Sequence, residues 1–168
     1  MDGWKAHQVK AKDDFETELR TGTYIRWIFL RPVAVARVKA EVSVMSFLIL
    51  KAYLKLIHFD LYLARGDFAA IYDKVRNTPV RKRAPIRDVV ERVCSAIDMA
   101  CIWYWKEALC LQRSAATACL LKKCGVPAQM VIGAQQMPFR AHAWVEVEGR
   151  VVNDKPYMQE VYGVLDKC

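Results

Sequence analysis

The chain has 168 residues, a hydrophobic fraction of 54% and a formal net charge of +8. This size and composition exclude two large independent domains, a disordered acidic tail and a low-complexity linker. The basic excess is concentrated in residues 1–105, which carry 18 basic and 12 acidic side chains. Clustered Lys and Arg suit a nucleic acid, an anionic membrane surface or an acidic protein partner alike. The densest cluster, Arg81, Lys82 and Arg83, lies between Pro79 and Pro85 without interleaved aromatic residues for base stacking. It reads as a solvated connector, and no nucleic-acid partner is expected.

The cysteines are Cys94, Cys101, Cys110, Cys119, Cys124 and Cys168, with no CxxC pair and no structural-zinc spacing. No metal and no cofactor is implied. Met1 to Arg20 is charged throughout and has no uninterrupted apolar run, unlike a signal peptide. The expected setting is the reducing cytoplasm, with free thiols.

Residues 1–25 read as a short helix or an arm. From Pro32 to Ala64 the chain is strongly apolar, with Pro32 suited to a first helical turn and Gly66 just past the end. One long helix or two are expected there. Its uncharged stretch, Val42 to Leu50, is shorter than the roughly 20 residues a bilayer span needs, and Lys51 and Lys55 follow. A core helix is the expectation, with partner docking or a membrane interface as the alternatives, and His58 on it reads as a packed histidine. Asp67 to Arg76 forms a further short helix ended by Asn77, Thr78 and Pro79. From Ile86, apolar residues recur at 89, 90, 93, 94, 97 and 101, the spacing of one helical face. Cys94 and Cys101 belong to that face as small buried hydrophobes.

Trp103, Tyr104 and Trp105 precede Cys110, and Cys110 to Lys123 is again a helix former, with Gly125 suited to its C-cap. No Gly or Pro lies between Ile86 and Cys124, so periodicity does not reveal a break before Cys110. After Pro127 short β-rich runs are predicted at 128–132, 141–147 and 150–153, the last two joined across Glu148 and Gly149. The predicted class is α+β, with N-terminal helices over residues 1–85 and an α-then-β core over 86–168.

A nucleophilic cysteine needs a base, and the base needs an acceptor to orient it. His142 is the sole histidine of the C-terminal half, and the strand after it ends at Asp154. Parity constrains this pair. A two-residue loop of Glu148 and Gly149 sets Asp154 opposite Ala143, whereas a three-residue loop beginning at Val147 sets it opposite His142. The expectation is therefore the odd-length loop, or an equivalent bulge, with Gly149 at its left-handed position. Cys110, at the head of a helix, is the cysteine best placed for a stabilised thiolate and for backbone N–H donors to an oxyanion. Cys119, Cys124 and Cys168 read as structural or incidental.

The stretch CLQRSAATACLLKKCGVPAQMVIGAQQMPFRAHAWVEVEGRVVND, from Cys110 to Asp154, resembles the catalytic core of lasso-peptide biosynthesis B2 proteins, leader peptidases of the transglutaminase-like superfamily. Four motifs carry the resemblance: Cys-Leu-x-Arg-Ser, Gly-Val-Pro-Ala, Pro-Phe-x-Ala-His-Ala-Trp-Val-Glu and Val-Asn-Asp. It implies a transglutaminase-like or papain-like core in which a catalytic helix packs on a small antiparallel sheet, with a helix break before Cys110. It further implies Cys110 as nucleophile, His142 as base and acid, and Asp154 as the orienting carboxylate, with no role given to Arg113 or Ser114. The substrate would be the leader-bearing precursor peptide, cleaved before a cyclase closes the ring. Because residues 1–85 read as helices without strands, leader recognition is expected from a separate small protein (B1, carrying the RiPP recognition element). The helix Pro32–Ala64 and the connector 81–83 are candidate docking surfaces for it, and the lasso cyclase is a further candidate partner. Core packing is the expectation for Trp103 and Trp105, with an indole donor to the oxyanion, by analogy with transglutaminases, as the alternative. Two rivals remain: an acyltransferase using an amine acceptor, and a non-catalytic binding module. An ATP requirement is not legible in these residues.

Overall fold

The computed structural model describes residues 23–82 and 88–168, with side chains described from residue 41 onward. The arm expected at the N-terminus, Arg83 of the basic cluster and Ile86 at the start of the expected helix lie outside the described residues. The chain divides into two compact units, Met1–Val44 and Met45–Cys168. The second unit holds the candidate site.

Helix α1 spans Thr23–Ala64, α2 Phe68–Arg76, α3 Val89–Ile102 and α4 Cys110–Lys123. Strands β1 (Ala128–Gln135), β2 (Arg140–Val147) and β3 (Arg150–Val151) follow, then the short α5 (Met158–Val161) and β4 (Gly163–Lys167). The four-stranded sheet has the order β3-β2-β1-β4, with β1 antiparallel to β2 and to β4. This is an α+β fold with helices and a small antiparallel sheet.

Helix α1 begins nine residues before Pro32, so Pro32 is interior to it and not in its first turn. Thr23 to Leu30 continues the apolar, helix-compatible pattern without Gly or Pro. Asp67 caps α2 by accepting from the Ala70 N–H at 2.9 Å, which satisfies one of the helix's free donors. Asn77 closes it.

In the second unit, Leu56 and Phe59 of α1, Ile71 and Val75 of α2, and Val93 and Ile97 of α3 join Ala115, Ala118 and Leu121 of α4 in one core. Each such large apolar side chain contributes about 1.5–3 kcal/mol on burial. On the sheet side, Met130 and Val145 complete that core. The run of Ala115, Ala116 and Ala118 gives α4 a slim body, which lets it be buried at Gln112 and from Ser114 to Lys122 between helices and sheet. Its buried residues Gln112, Ser114, Thr117 and Lys122 each have a hydrogen-bond partner. Lys122 donates to the Val75 carbonyl at 2.8 Å, placing a cation at the C-terminus of α2, where the helix dipole favours it.

The other face of the sheet carries a smaller cluster of Val131, Trp144 and Met158, with Val151 and Tyr162 against it. Gly133 is required here: a Cβ on it would lie 2.8 Å from the Trp144 ring and 3.0 Å from the Gly163 carbonyl. Residues 155–168, for which no element was predicted, supply α5 and β4. The run Gly163–Lys167 is exposed along its whole length, so it has no buried-versus-exposed alternation to read.

Candidate active site

The loop before Cys110 is anchored from both sides. Lys106 pairs with the largely buried Asp60 of α1 at 2.6 Å, and Tyr104 is buried against Tyr53 with ring centroids 5.5 Å apart. Trp103–Leu109 thus breaks the helical run, as the resemblance implied. The preference for core packing at Trp103 and Trp105 is overturned, since their exposures are 74% and 62%. Tyr104 takes the inward position, leaving Trp105 stacked on its outer face at 4.3 Å.

Cys110 is the first residue of α4. Gln112, fully buried, accepts from the Leu109 N–H at 3.3 Å and donates to the Leu56 carbonyl at 2.8 Å. One amide therefore fixes the start of α4 to α1. Leu109, the N-cap, provides no side-chain cap, so the first N–H groups of the helix are left to other acceptors.

His142 lies on β2 opposite Gly133. Its Nε2 is 2.8 Å from Asp154 Oδ2. The imidazole stacks on Tyr162 at 5.3 Å and lies 6.4 Å from the Trp144 ring. Strand alternation puts His142 with Trp144 and Glu146, while Ala143 and Val145 face α4. Burial works against the Asp154 carboxylate. Hydrogen bonds from His142 and the Lys155 N–H, with the nearby Arg113 charge, outweigh it and hold its pKa below the ordinary value.

The loop is not the odd-length one expected. Val147 pairs with Arg150 and Glu146 with Val151, leaving Glu148 and Gly149 as a two-residue turn with φ of 52° and 76°, the pattern of a type I′ hairpin. His142 and Asp154 nevertheless meet because the ladder stops early. Val152 still donates to the Val145 carbonyl at 2.9 Å. The Val145 N–H, however, donates to Asn153 Oδ1 at 2.7 Å instead of to a backbone carbonyl. Asn153 substitutes for the strand, and parity no longer governs Asp154.

Asn153 also donates to Ser114 Oγ at 3.0 Å, and Ser114 donates to the Ala143 carbonyl at 2.9 Å. These three bonds tie α4, β2 and the residue preceding Asp154 together, within a buried patch. Ser114 lies one helical turn after Cys110. Arg113 pairs with Asp98 of α3 at 2.6 Å. The two motif residues without a sequence-derived role are therefore the clamps of α4.

The structure joins His142 to Asp154; among the described residues no hydrogen bond joins Cys110 to either. Sequence reasoning missed Asn153, Ser114 and Tyr162 as neighbours of the pair. Asn153 was inside a quoted motif, but its role depends on where a ladder ends. Among the other thiols, burial raises Cys94 and Cys168 to about 11. Cys94 is half-buried and donates to the Val152 carbonyl at 3.3 Å. Among the described residues no group of His, Cys, Asp and Glu has a metal-binding arrangement.

A family model described as transglutaminase-like superfamily matches residues 53–166, more than half of the chain. The chain is also 41% identical, over 56 residues, to the microcin J25-processing protein McjB of Escherichia coli. That stretch is 33% of this chain and 27% of the relative, so the match spans about a quarter of McjB's length. No solved structure matches. Both findings support the resemblance to lasso-peptide B2 proteins, and the extent of the family match shows that the chain belongs to the transglutaminase-like superfamily.

Proposed function

We propose that this protein is a cysteine endopeptidase that removes the leader from a lasso-peptide precursor before macrocyclisation. The observation that carries the reading is the contact between His142 Nε2 and Asp154 Oδ2 at 2.8 Å. A carboxylate on Nε2 fixes the tautomer with the proton there and leaves Nδ1 as the basic nitrogen. Cys110 is the nucleophile, at the head of a helix whose first N–H groups lack a side-chain cap. Those N–H groups are the donors for the oxyanion.

Cys110 transfers its proton to His142 Nδ1, and its sulfur attacks the scissile carbonyl. The imidazolium returns the proton to the departing amine, leaving a thioester. His142 then deprotonates water, which cleaves the thioester, releases the leader carboxylate and restores the thiol. Asp154 orients the ring and stabilises its cationic form. The cysteine and histidine come into register when substrate seats, since such contacts commonly tighten only in the complex. Exposed Met137 and Phe139, just before His142, form an apolar rim for the peptide. Residues 86–168 carry the reacting groups.

The likeness to McjB, a processing protein for microcin J25, supports a peptide precursor as substrate. A separate leader-binding protein delivers it. Tethering gives the scissile bond an effective concentration that reaches about millimolar for a short flexible link. The test is precursor cleavage at substrate below saturation, with and without that protein, by wild type and by Cys110→Ala. Leader release by wild type alone among the two, accelerated by the partner, is the expected result. Full cleavage by Cys110→Ala overturns the reading. Equal rates with and without the partner remove delegated recognition. The superfamily match also favours one rival, acyl transfer to an amine; a product lacking one ammonia, in place of products gaining one water, would establish it.

A further inference from the structure

At the far end of α4 from Cys110, a cavity of about 520 Å³ opens between α1, the segment after α2, the start of α3 and the C-terminus of α4. Its volume is that of an ordinary small-ligand site, roughly 300–1,000 Å³. Lys51 and Lys55 of α1, Arg81 and Lys123 line it, with no acidic side chain among the described lining residues. Leu48, Leu54, Val89 and Leu120 form apolar walls. His58 also faces it, and its Nε2 is buried with no hydrogen-bond partner among the described residues.

The cavity sets like charges side by side, with Lys55 and His58 partly buried and Lys51, Arg81 and Lys123 exposed, so each repels the others. Burial first, then the charge of Lys123, makes Lys55 easier to deprotonate, and burial with Lys55, Lys74 and Lys123 does the same to His58. An anion relieves all of these at once.

The walls select the rest of the ligand. Those from α1 and α4 are helical, with backbone groups engaged within the helices, so they offer no free edge to an extended peptide. They offer methyl groups. Leu54, at the cavity, is 55% exposed and continues into exposed Leu50 and Phe47 along α1. That apolar stripe lies within Glu41–Ala64, the one helix among the described residues long and apolar enough to cross a membrane. Only 17% of its apolar window is buried. The cations flanking the stripe would repel a second copy of the same surface.

From this we infer that the cavity binds an anionic amphiphile, with a phosphate or carboxylate head held by Lys55, Lys123, Arg81 and His58 and an alkyl chain lying along Leu54, Leu50 and Phe47. The site is separate from the candidate active site by the length of α4, about 20 Å at 1.5 Å per residue, and it does not rest on the peptidase reading. The amphiphile is either a free molecule or a lipid of an anionic bilayer.

Calorimetric titration of the full chain with monomeric octyl phosphate, inorganic phosphate and the neutral octyl glucoside tests the chemistry. Flotation with phosphatidylcholine vesicles, alone or containing phosphatidylglycerol, tests the source. Octyl phosphate should bind more tightly than either control, and Lys55→Gln with Lys123→Gln should weaken it roughly tenfold or more. Lys55→Arg with Lys123→Arg should retain binding, which separates lost charge from lost fold. Octyl phosphate binding without vesicle binding assigns a free ligand; binding to anionic vesicles as well assigns the bilayer. Equal affinity for octyl phosphate and octyl glucoside, or an unchanged affinity in the double Gln variant, overturns the site. So does binding of an acidic peptide where octyl phosphate and anionic vesicles fail.

Discussion

The two faces of β2 are built on opposite principles. Toward α4, Ala143 and Val145 present small apolar side chains, and the polar contacts there are made by backbone groups to Ser114 and Asn153. On the other face, His142, Trp144 and Glu146 are large and carry polar atoms; His142 and Glu146 are held by partners outside the strand, and Trp144 by Glu146. Asp154 holds His142. The buried Glu146 accepts from the Trp144 indole at 2.8 Å, from Gln159 at 2.6 Å and from Lys167 at 2.7 Å. The first face holds the fold together with few side-chain polar atoms. The second can position a titratable ring because a network of fixed donors and acceptors surrounds it.

The sharpest break of this contrast is chemical. On the reading proposed above, His142→Ala and Cys110→Ala each reduce leader cleavage to background while the thermal unfolding midpoint stays within a few degrees of wild type. Peptide mass analysis and circular dichroism on the same samples check this. Asp154→Ala should lose most of the rate but leave a residue of activity, because it orients the base without replacing it.

Gly133→Ala attacks the packing of the polar face. Its methyl group meets the Trp144 ring and a backbone carbonyl, so the strand must shift, at a cost of about 1–3 kcal/mol. Urea unfolding should show a lower midpoint with an unchanged slope. On the helix face, Asn153→Ala leaves the Val145 N–H without its acceptor and Ser114 without its donor, a loss of similar size, about 1–3 kcal/mol. The two differ in reach. Asn153→Ala should also lower cleavage more than its stability loss explains, since it frees the residue next to Asp154; activity and unfolding measured at one temperature separate the effects.

Acid sharpens the comparison further. For Glu146, burial opposes the charged form, but Lys167, Trp144 and Gln159 outweigh it and hold its pKa below the ordinary glutamate value. Asp154 likewise lies below the ordinary aspartate value. A carboxylate depressed on folding contributes stability that is full above its unfolded value and lost as pH falls through its folded value. Unfolding free energy should therefore decline as pH drops below the ordinary carboxylate range, and Glu146→Gln should flatten that decline. An identical acid profile in the variant would refute the role of Glu146. The smallest effect belongs to the turn. Glu148 holds φ of 52°, a conformation Asn tolerates better than Glu, and Glu148→Asn should raise the unfolding free energy slightly, on the order of 0.5 kcal/mol, read as a small rise in the melting midpoint.

Much of the fold is local and was legible for that reason. Apolar recurrence located α3, Gly125 marked the end of α4, Asp67 and Asn77 bounded α2, and Glu148 with Gly149 marked the hairpin, because helix faces, caps and tight turns depend on neighbours within a few residues; the start of α4 was legible only through the family resemblance. Tertiary contacts decided the rest. Which of Trp103, Tyr104 and Trp105 turns inward depends on Tyr53 and Asp60, some fifty residues away in sequence. β4 is an exposed strand that exists because β1 offers it an edge. The meeting of His142 and Asp154 was anticipated, but through the wrong loop. Strand parity is a property of a continuous ladder, and this one is ended by the Asn153 side chain, whose bonds to Val145 and Ser114 arise only when α4 has docked on the sheet.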